Sequence, residues 1–297
     1  MKLTLIKPNI GRMGHSLYVD EGRMQPLQLG VLAALTPPDV EVTLVDDRME
    51  DVPYDEATDL VAMTVETFTA RRAYEISAEY RRRGVPVVLG GFHPTLAPDE
   101  AAAHADAIYT GDAEDLWPQV IDDAKRSALE RHYVGRPGVP HPRVFVRRDL
   151  YRGKGYLPIT LMQFGRGCRY ACSFCAVSSF FDQQHYLREV REVVREIEHA
   201  EAKTIFFVDD NVAASHEALK ALCRELIPLK VRWVSQASLD ITHDPELLSL
   251  MVKSGCLGHV IGFESIDERN LRAIDCADYA ALDEDEHVVA RRRHDNR

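Results

Sequence analysis

Cysteine is absent from the first 167 residues of this 297-residue chain, and only six occur in all. A disulfide framework would spread partners along a small secreted chain, so that reading is excluded. No apolar run approaches the roughly 18 residues needed to span a bilayer. The opening MKLTLIKPN has neither the longer apolar stretch nor the small-residue cleavage site of a secretory signal, so the expectation is a cytoplasmic protein with no transmembrane segment. Positive charge is also in short supply. With 36 Lys and Arg against 47 Asp and Glu the net charge is −11, which argues against nucleic acid as a partner. Two nucleotide signatures are missing as well. Gly11 and Gly14 in NIGRMGH do not form GxGxxG, and GxxxxGK[ST] occurs nowhere, so nicotinamide and nucleoside triphosphate readings lose local support.

What is present is ordinary globular material, 45% hydrophobic and 28% charged. At about 100–200 residues per domain, two domains fit, whereas a full eight-stranded barrel of about 250 residues plus another domain does not. Residues 1–128 alternate strand-like runs (3–8, 41–47, 60–65, 86–91 and 107–111) with helical stretches such as TARRAYEISAEYRRRG, whose Ala73, Ile76, Ala78 and Tyr80 lie among charges. This is the βα alternation of an open, mainly parallel α/β sheet, which binds ligands beyond the carboxyl ends of its strands. Those ends carry Pro8, Asn9, Asp46, Asp47, Thr64, Gly90, Gly91 and Gly111. The adjacent His93 reads either as a residue at that ligand edge or as a surface histidine in a turn. Residues 129–157, rich in Gly, Pro and Arg, read as a connector over the surface, and a second domain is expected from about 158.

That second domain opens with a cluster of thiols. Cys168, Cys172 and Cys175 form C-x3-C-x2-C after Gly165 and Gly167, whereas Cys223, Cys256 and Cys276 stand 48, 81 and 101 residues past Cys175. At a background of 6 in 297, one cysteine finds partners at both offsets by chance about 4 times in 10,000. Thiolates suit zinc or iron–sulfur clusters. A structural zinc site wants four ligands, usually in two pairs, and would need His185 or a remote cysteine to complete it. Three thiolates on a four-iron cluster instead leave one iron open to a small molecule, unlike the four-cysteine electron carriers. Cys223 and Cys256 read as packing residues.

Beyond the loop the βα beat continues. A helix with Val190, Val193, Val194 and Ile197 is followed by TIFFVDDN, a helix at 215–226, VRWVSQAS, PELLSLMVKSG and HVIGFES. Polar residues at the strand exits (Asp209, Asp210, Gln236, Ser238, Glu264 and Ser265) would converge on one rim of a barrel, where chemistry is expected.

The segment GCRYACSFC resembles the signature loop of radical S-adenosylmethionine (radical SAM) enzymes. The resemblance implies that Cys168, Cys172 and Cys175 hold a [4Fe–4S] cluster, with the aromatic Phe174 before the third cysteine contributing to the cofactor site. It covers about residues 1–274 and points to the B12-dependent branch, which includes hopanoid C2 methylases and the anaerobic porphyrin cyclase. The implied fold is a Rossmann-like cobalamin-binding domain (1–128), a linker (129–157) and a partial radical SAM barrel (158–274). A divergent tail (275–297) makes the chain read as shortened at its C-terminus. By the same resemblance Asp209 and Asp210 fall where the SAM amino group is contacted, and Glu264 with Ser265 near its ribose and methionine portions. Thr64, Gly90 and Gly91 match the cobalamin-contacting positions. VDDRMED stands where many cobalamin folds carry DxHxxG, so an axial histidine is not expected. The implied activity is reductive cleavage of SAM to methionine and a 5′-deoxyadenosyl radical, followed by cobalamin-dependent methyl transfer to an unreactive carbon of a small-molecule substrate. A reducing partner such as flavodoxin or ferredoxin would supply the electron. Oxidative cyclisation of the porphyrin-cyclase type, and an inactive cluster- or cobalamin-binding protein, are the alternative outcomes for the same residues.

Overall fold

The computed structural model describes residues 1–10, 24–141, 144–265, 267, 269 and 270. Gly11, Gly14, Cys276 and the 275–297 tail lie outside the described residues. The chain divides into two units, Met1–Leu161 and Met162–Arg297. Among the described residues no helix is long and apolar enough to cross a membrane.

The first unit is an α/β sheet of six strands: β1 (Lys2–Lys7), β2 (Glu41–Asp46), β3 (Leu60–Thr64), β4 (Val87–Gly90), β5 (Ala107–Thr110) and β6 (His132–Val134). They lie in the order β2-β1-β3-β4-β5-β6, and every pair is parallel. Both faces are covered, which is why the strands read as continuous apolar runs. Leu3 and Leu5 of β1, with Leu60 and Ala62 of β3, face α1 (Leu27–Leu35), while Ile6, Val61 and Met63 face α2 (Ala70–Arg82). Two short helices, α3 (Phe92–Leu96) and α4 (Pro98–Ala103), follow β4, and α5 (Trp117–Lys125) follows β5 and joins the α1 side.

On α2 the buried arc is Ala73, Ile76, Ser77 and Tyr80, while Ala78 is exposed. The 3.6-residue period selects position 77, and the polarity of Ser77 is satisfied because its hydroxyl donates to the His104 carbonyl. His93 is buried rather than at the surface, its Nε2 lying 2.8 Å from the Tyr74 hydroxyl. Residues 129–157 are also more than a surface connector. They supply β6 and place Tyr133, Val146 and Tyr151 in the core on the α1 side. A three-residue strand is too short to show a period of two, so its Gly- and Pro-rich surroundings dominate the sequence signal.

The strand order reverses between β1 and β3, and the crevice at such a switch point is where open α/β sheets take ligands. Around it the charged exits are paired within the unit. Lys7 meets Glu66, Arg48 binds Asp46 through two nitrogens, and Arg72 does the same to Asp47. Asn9 fixes the Asp47 turn through its backbone N–H and its side-chain amide.

β7 (Thr160–Met162), which spans the division at Leu161, and β10 (Thr204–Phe207), β11 (Arg232–Gln236) and β12 (Cys256–Val260) of the second unit form a sheet in the order β12-β11-β10-β7, with β10, β11 and β12 parallel. Four strands were expected in this part of the chain, and the sheet has four. The last begins three residues before the HVIGFES run, directly after the helix stop at Gly255. A separate antiparallel pair, β8 (Gly165–Gly167) with β9 (His185–Leu187), was not foreseen. Helices α6 (Ala176–Phe181), α7 (Val190–His199), α8 (His216–Leu226) and α9 (Pro245–Lys253) complete the unit. Its core centres on Phe164, Phe207, Trp233 and Leu222, with Cys223 fully buried among them.

One ion pair is placed inside this unit. Arg188 and Glu196 are 2.7 Å apart with side chains 6% and 4% exposed, and Arg188 also donates to the Gln163 carbonyl. Removing one partner leaves a buried charge uncompensated. Glu196→Ala is therefore expected to cost about 3–5 kcal/mol, read as a lower denaturant midpoint at unchanged slope.

Candidate active site

The cysteine loop hangs from the β8–β9 pair. Gly167, immediately before Cys168, has φ +80°, and a Cβ there would lie 2.2 Å from the Gln184 carbonyl oxygen and 3.1 Å from Phe181. Only glycine lets the backbone turn into the loop at this approach. The start of the loop is held from below by the exit of β10. Asp209, 1% exposed, accepts the backbone N–H of Phe164 at 3.0 Å and that of Gly165, and Asp210 accepts the N–H of Gly167 at 2.8 Å. Burial pushes the Asp209 carboxyl up to about 7, against the backbone donors that favour its anion. Burial also raises Asp210, opposed by the Gly167 N–H.

Cys168, Cys172 and Cys175 are all half-buried thiols outside any disulfide, and a turn closes between the last two, with the Cys175 N–H on the Cys172 carbonyl at 3.0 Å. Burial raises the Cys168 thiol, opposed by hydrogen bonds from the Tyr170 backbone and the Asn211 side chain. Among the described residues no three His, Cys, Asp or Glu side chains lie close enough to share a single metal ion. A four-iron cluster takes each thiolate on a different iron, and the donor set of three loop thiols fits it. His185, considered as a zinc ligand, lies opposite Gly167 in the β8–β9 backbone register, and its Nε2 is buried without a hydrogen-bond partner among the described residues.

The other expected residues are distributed unevenly. Gln236 lies near Asp209, its Nε2 at 3.5 Å from the Asp209 carbonyl oxygen. Ser238 sits in the same group, accepting from Asn211 at 2.9 Å and donating to Asp240. Phe174 is 52% exposed on the loop. Glu264 is exposed, with φ +51°. Ser265 accepts the Asp267 N–H at 3.0 Å, a local turn contact. Asn211 is the residue that sequence reasoning left out of the site. It donates through Nδ2 to Cys168 Sγ at 3.7 Å, and a buried amide directly after two exit aspartates was the available signal. Asp240 was also missed. It accepts the hydroxyl of Tyr170, inside the cysteine loop, at 2.7 Å.

In the first unit Thr64 is buried at the end of β3, and Gly90 is half-buried at the end of β4. Gly91 has φ +108°, and a Cβ on it would lie 2.9 Å from the Val65 carbonyl oxygen, so the chain crosses the β3 exit in close contact there.

With this geometry in place, comparison with known proteins is direct. Residues 162–281 match the Radical SAM superfamily. They are a radical SAM domain. Such a domain implies a [4Fe–4S] cluster and SAM as cofactors. The chain is 33% identical over 281 residues to bacteriochlorophyllide d C-8(2)-methyltransferase of Chlorobaculum tepidum, covering 86% of this chain and 61% of that one. It is 25% identical over 280 residues to hopanoid C-2 methylase of Rhodopseudomonas palustris, covering 84% and 50%. The chain thus spans between half and two thirds of these relatives. Among solved structures, the radical SAM methyltransferase TsrM of Kitasatospora setae, with cobalamin and a [4Fe–4S] cluster bound, aligns with TM-score 0.68 at 19% identity, over 91% of this chain and 62% of that one. That likeness is one of fold, and it extends from the radical SAM domain through the six-stranded sheet.

Proposed function

We propose that this chain is the cofactor-bearing part of a cobalamin-dependent radical SAM methyltransferase that methylates an unreactive carbon of a small-molecule substrate. The observation that carries the reading is a loop of three half-buried thiols in C-x3-C-x2-C spacing, on a unit whose residues 162–281 match the Radical SAM superfamily. When bound, the cluster and SAM supply one-electron cleavage of the sulfonium, and cobalamin supplies the methyl carrier. The protein's part is to position and to exclude water. Asp209 and Asp210 hold the strand that enters the loop, and Gly167 permits its turn. With the oxygens of Asp209 engaged by backbone donors, Gln236, Glu264 and Phe174 are the expected positions left with most freedom to meet SAM.

For cobalamin, support comes from the parallel order β2-β1-β3-β4-β5-β6 with its switch point between β1 and β3, and from the small residues Thr64, Gly90 and Gly91 at adjacent exits. The relatives of 30% identity or more carry methyltransferase names, whereas cyclases match at 24% and 29%, which favours methyl transfer over cyclisation. A flavodoxin- or ferredoxin-type reductant would supply the electron.

The test is anaerobic reconstitution of the chain with iron and sulfide, assay of both, and incubation with cobalamin, SAM and a strong reductant. Expected are about four irons per chain, a bound corrinoid spectrum after gel filtration, and formation of 5′-deoxyadenosine and methionine. A fully clustered protein that forms no 5′-deoxyadenosine would overturn the radical reading. Cleavage without corrinoid retention would overturn the cobalamin part alone.

A further inference from the structure

Asn211 is 5% exposed, and every polar atom of its side chain is engaged. Its Oδ1 accepts the backbone N–H groups of Ala213 at 3.1 Å and Ser238 at 3.3 Å. Its Nδ2 donates to Ser238 Oγ at 2.9 Å and to Cys168 Sγ at 3.7 Å. The orientation of the amide follows from this set. Exchanging oxygen and nitrogen would point an NH2 group at two backbone donors and leave the sulfur facing an acceptor.

The next partners fix the direction of the chain of bonds. Ser238 gives its hydroxyl proton to Asp240 Oδ1, so its oxygen is left to accept from Asn211. Asp240 Oδ2 in turn accepts the Tyr170 hydroxyl at 2.7 Å and lies 3.1 Å from His216 Nε2. Tyr170 lies between Cys168 and Cys172. The same carboxylate therefore anchors the cysteine loop from one side and orders the donor aimed at its first sulfur from the other. Such aligned bonds polarise one another in a low-dielectric setting.

We infer that Asn211 is a positioning residue that sets the reduction potential of the cluster by donating a hydrogen bond to the Cys168 sulfur, with Ser238 and Asp240 holding the amide in place. A donor on a ligating sulfur favours the reduced cluster, which carries one more negative charge. One electron from a low-potential reductant such as titanium(III) citrate enters the cluster, and no bond in the protein forms or breaks. This inference rests on the [4Fe–4S] reading of the three cysteines.

Asn211→Asp separates the roles. The carboxylate keeps acceptors for the Ala213 and Ser238 N–H groups but has no donor for sulfur. The expected result is wild-type iron and sulfide content and a lower midpoint potential, followed by electron paramagnetic resonance under controlled potential. In hyperfine spectra after exchange into D2O, the Tyr170 N–H on the Cys168 sulfur should contribute in both proteins, and the wild-type cluster should show one further exchangeable deuteron that the variant lacks. The added charge of aspartate alone would not remove that coupling. Ser238→Ala, which introduces no charge and loosens the amide, should give a smaller shift in the same direction. Clustered Asn211→Asp protein with the wild-type potential and deuteron coupling overturns the inference while leaving the radical SAM reading intact. Wild-type protein that assembles no cluster overturns both. If Asn211→Asp binds no iron, Ser238→Ala decides, a lowered potential supporting the inference and an unchanged one overturning it.

Discussion

Cys172→Ala is expected to reduce 5′-deoxyadenosine formation to background and to deplete bound iron, while the cluster-free protein unfolds at the same denaturant midpoint as the cluster-free wild type. The two halves of this result have different origins. Cys172 is half-buried on a loop and belongs to none of the three hydrophobic cores, so truncating its side chain removes little packing. Its sulfur is nonetheless one of three protein ligands to the proposed cluster, and metal binding of this type is a thiolate property for which alanine has no substitute. Iron analysis, the SAM cleavage assay and urea unfolding on the same preparation check all three statements. Wild-type iron content in the variant would mean that the loop does not ligate the cluster in the way its spacing suggests. Cys223→Ala is the contrasting substitution. Cys223 is fully buried in the second unit's core, so that change should lower the unfolding midpoint and leave iron content alone.

Much of this fold was legible because its strands are buried on both faces. The runs 3–8, 41–47, 60–65, 86–91 and 107–111 coincide within a residue or so with β1 to β5, since a continuous apolar run bounded by turn residues has few other uses in a chain of this composition. The three-cysteine spacing was equally plain, because it is a pattern complete within eight residues. What escaped depended on short elements or distant partners. β8 is Gly165–Gly167 and β9 is His185–Leu187; three residues cannot display a period, and their pairing is visible only after the loop has closed. The strand exits showed where Asp209 and Asp210 would stand, but not that they would bind the backbone of Phe164, Gly165 and Gly167, some 43 to 45 residues earlier. Asn211 escaped for the same reason, its sulfur partner lying 43 residues before it.

Asp209 carries the other large effect. Asp209→Ala would leave the Phe164 and Gly165 N–H groups without an acceptor in a buried place, at about 1–3 kcal/mol each. Unfolding should shift accordingly, and the cysteine loop should lose its fixed entry, so cluster occupancy should fall as well. A pH profile gives an independent sign. The carboxyl titrates from 3.8 in the unfolded chain and at about 7 in the fold, where burial disfavours the anion. Below pH 4 both states hold the proton and the group's favourable contribution is complete. As pH rises from 4 to 7 the unfolded chain releases its proton first, so the folded state binds more protons and stability falls with each unit. Above 7 both states are ionised and the slope ends. Other groups titrate in this range, so the diagnostic quantity is the difference between wild type and Asp209→Asn, which has no proton to lose. That difference should slope between pH 4 and 7 and be flat above 7 in cluster-free protein. A difference that stays flat from 4 to 7 would mean that the two backbone donors outweigh burial and keep Asp209 ionised, making it a fixed anion beneath the cysteine loop at every pH at which the protein is folded.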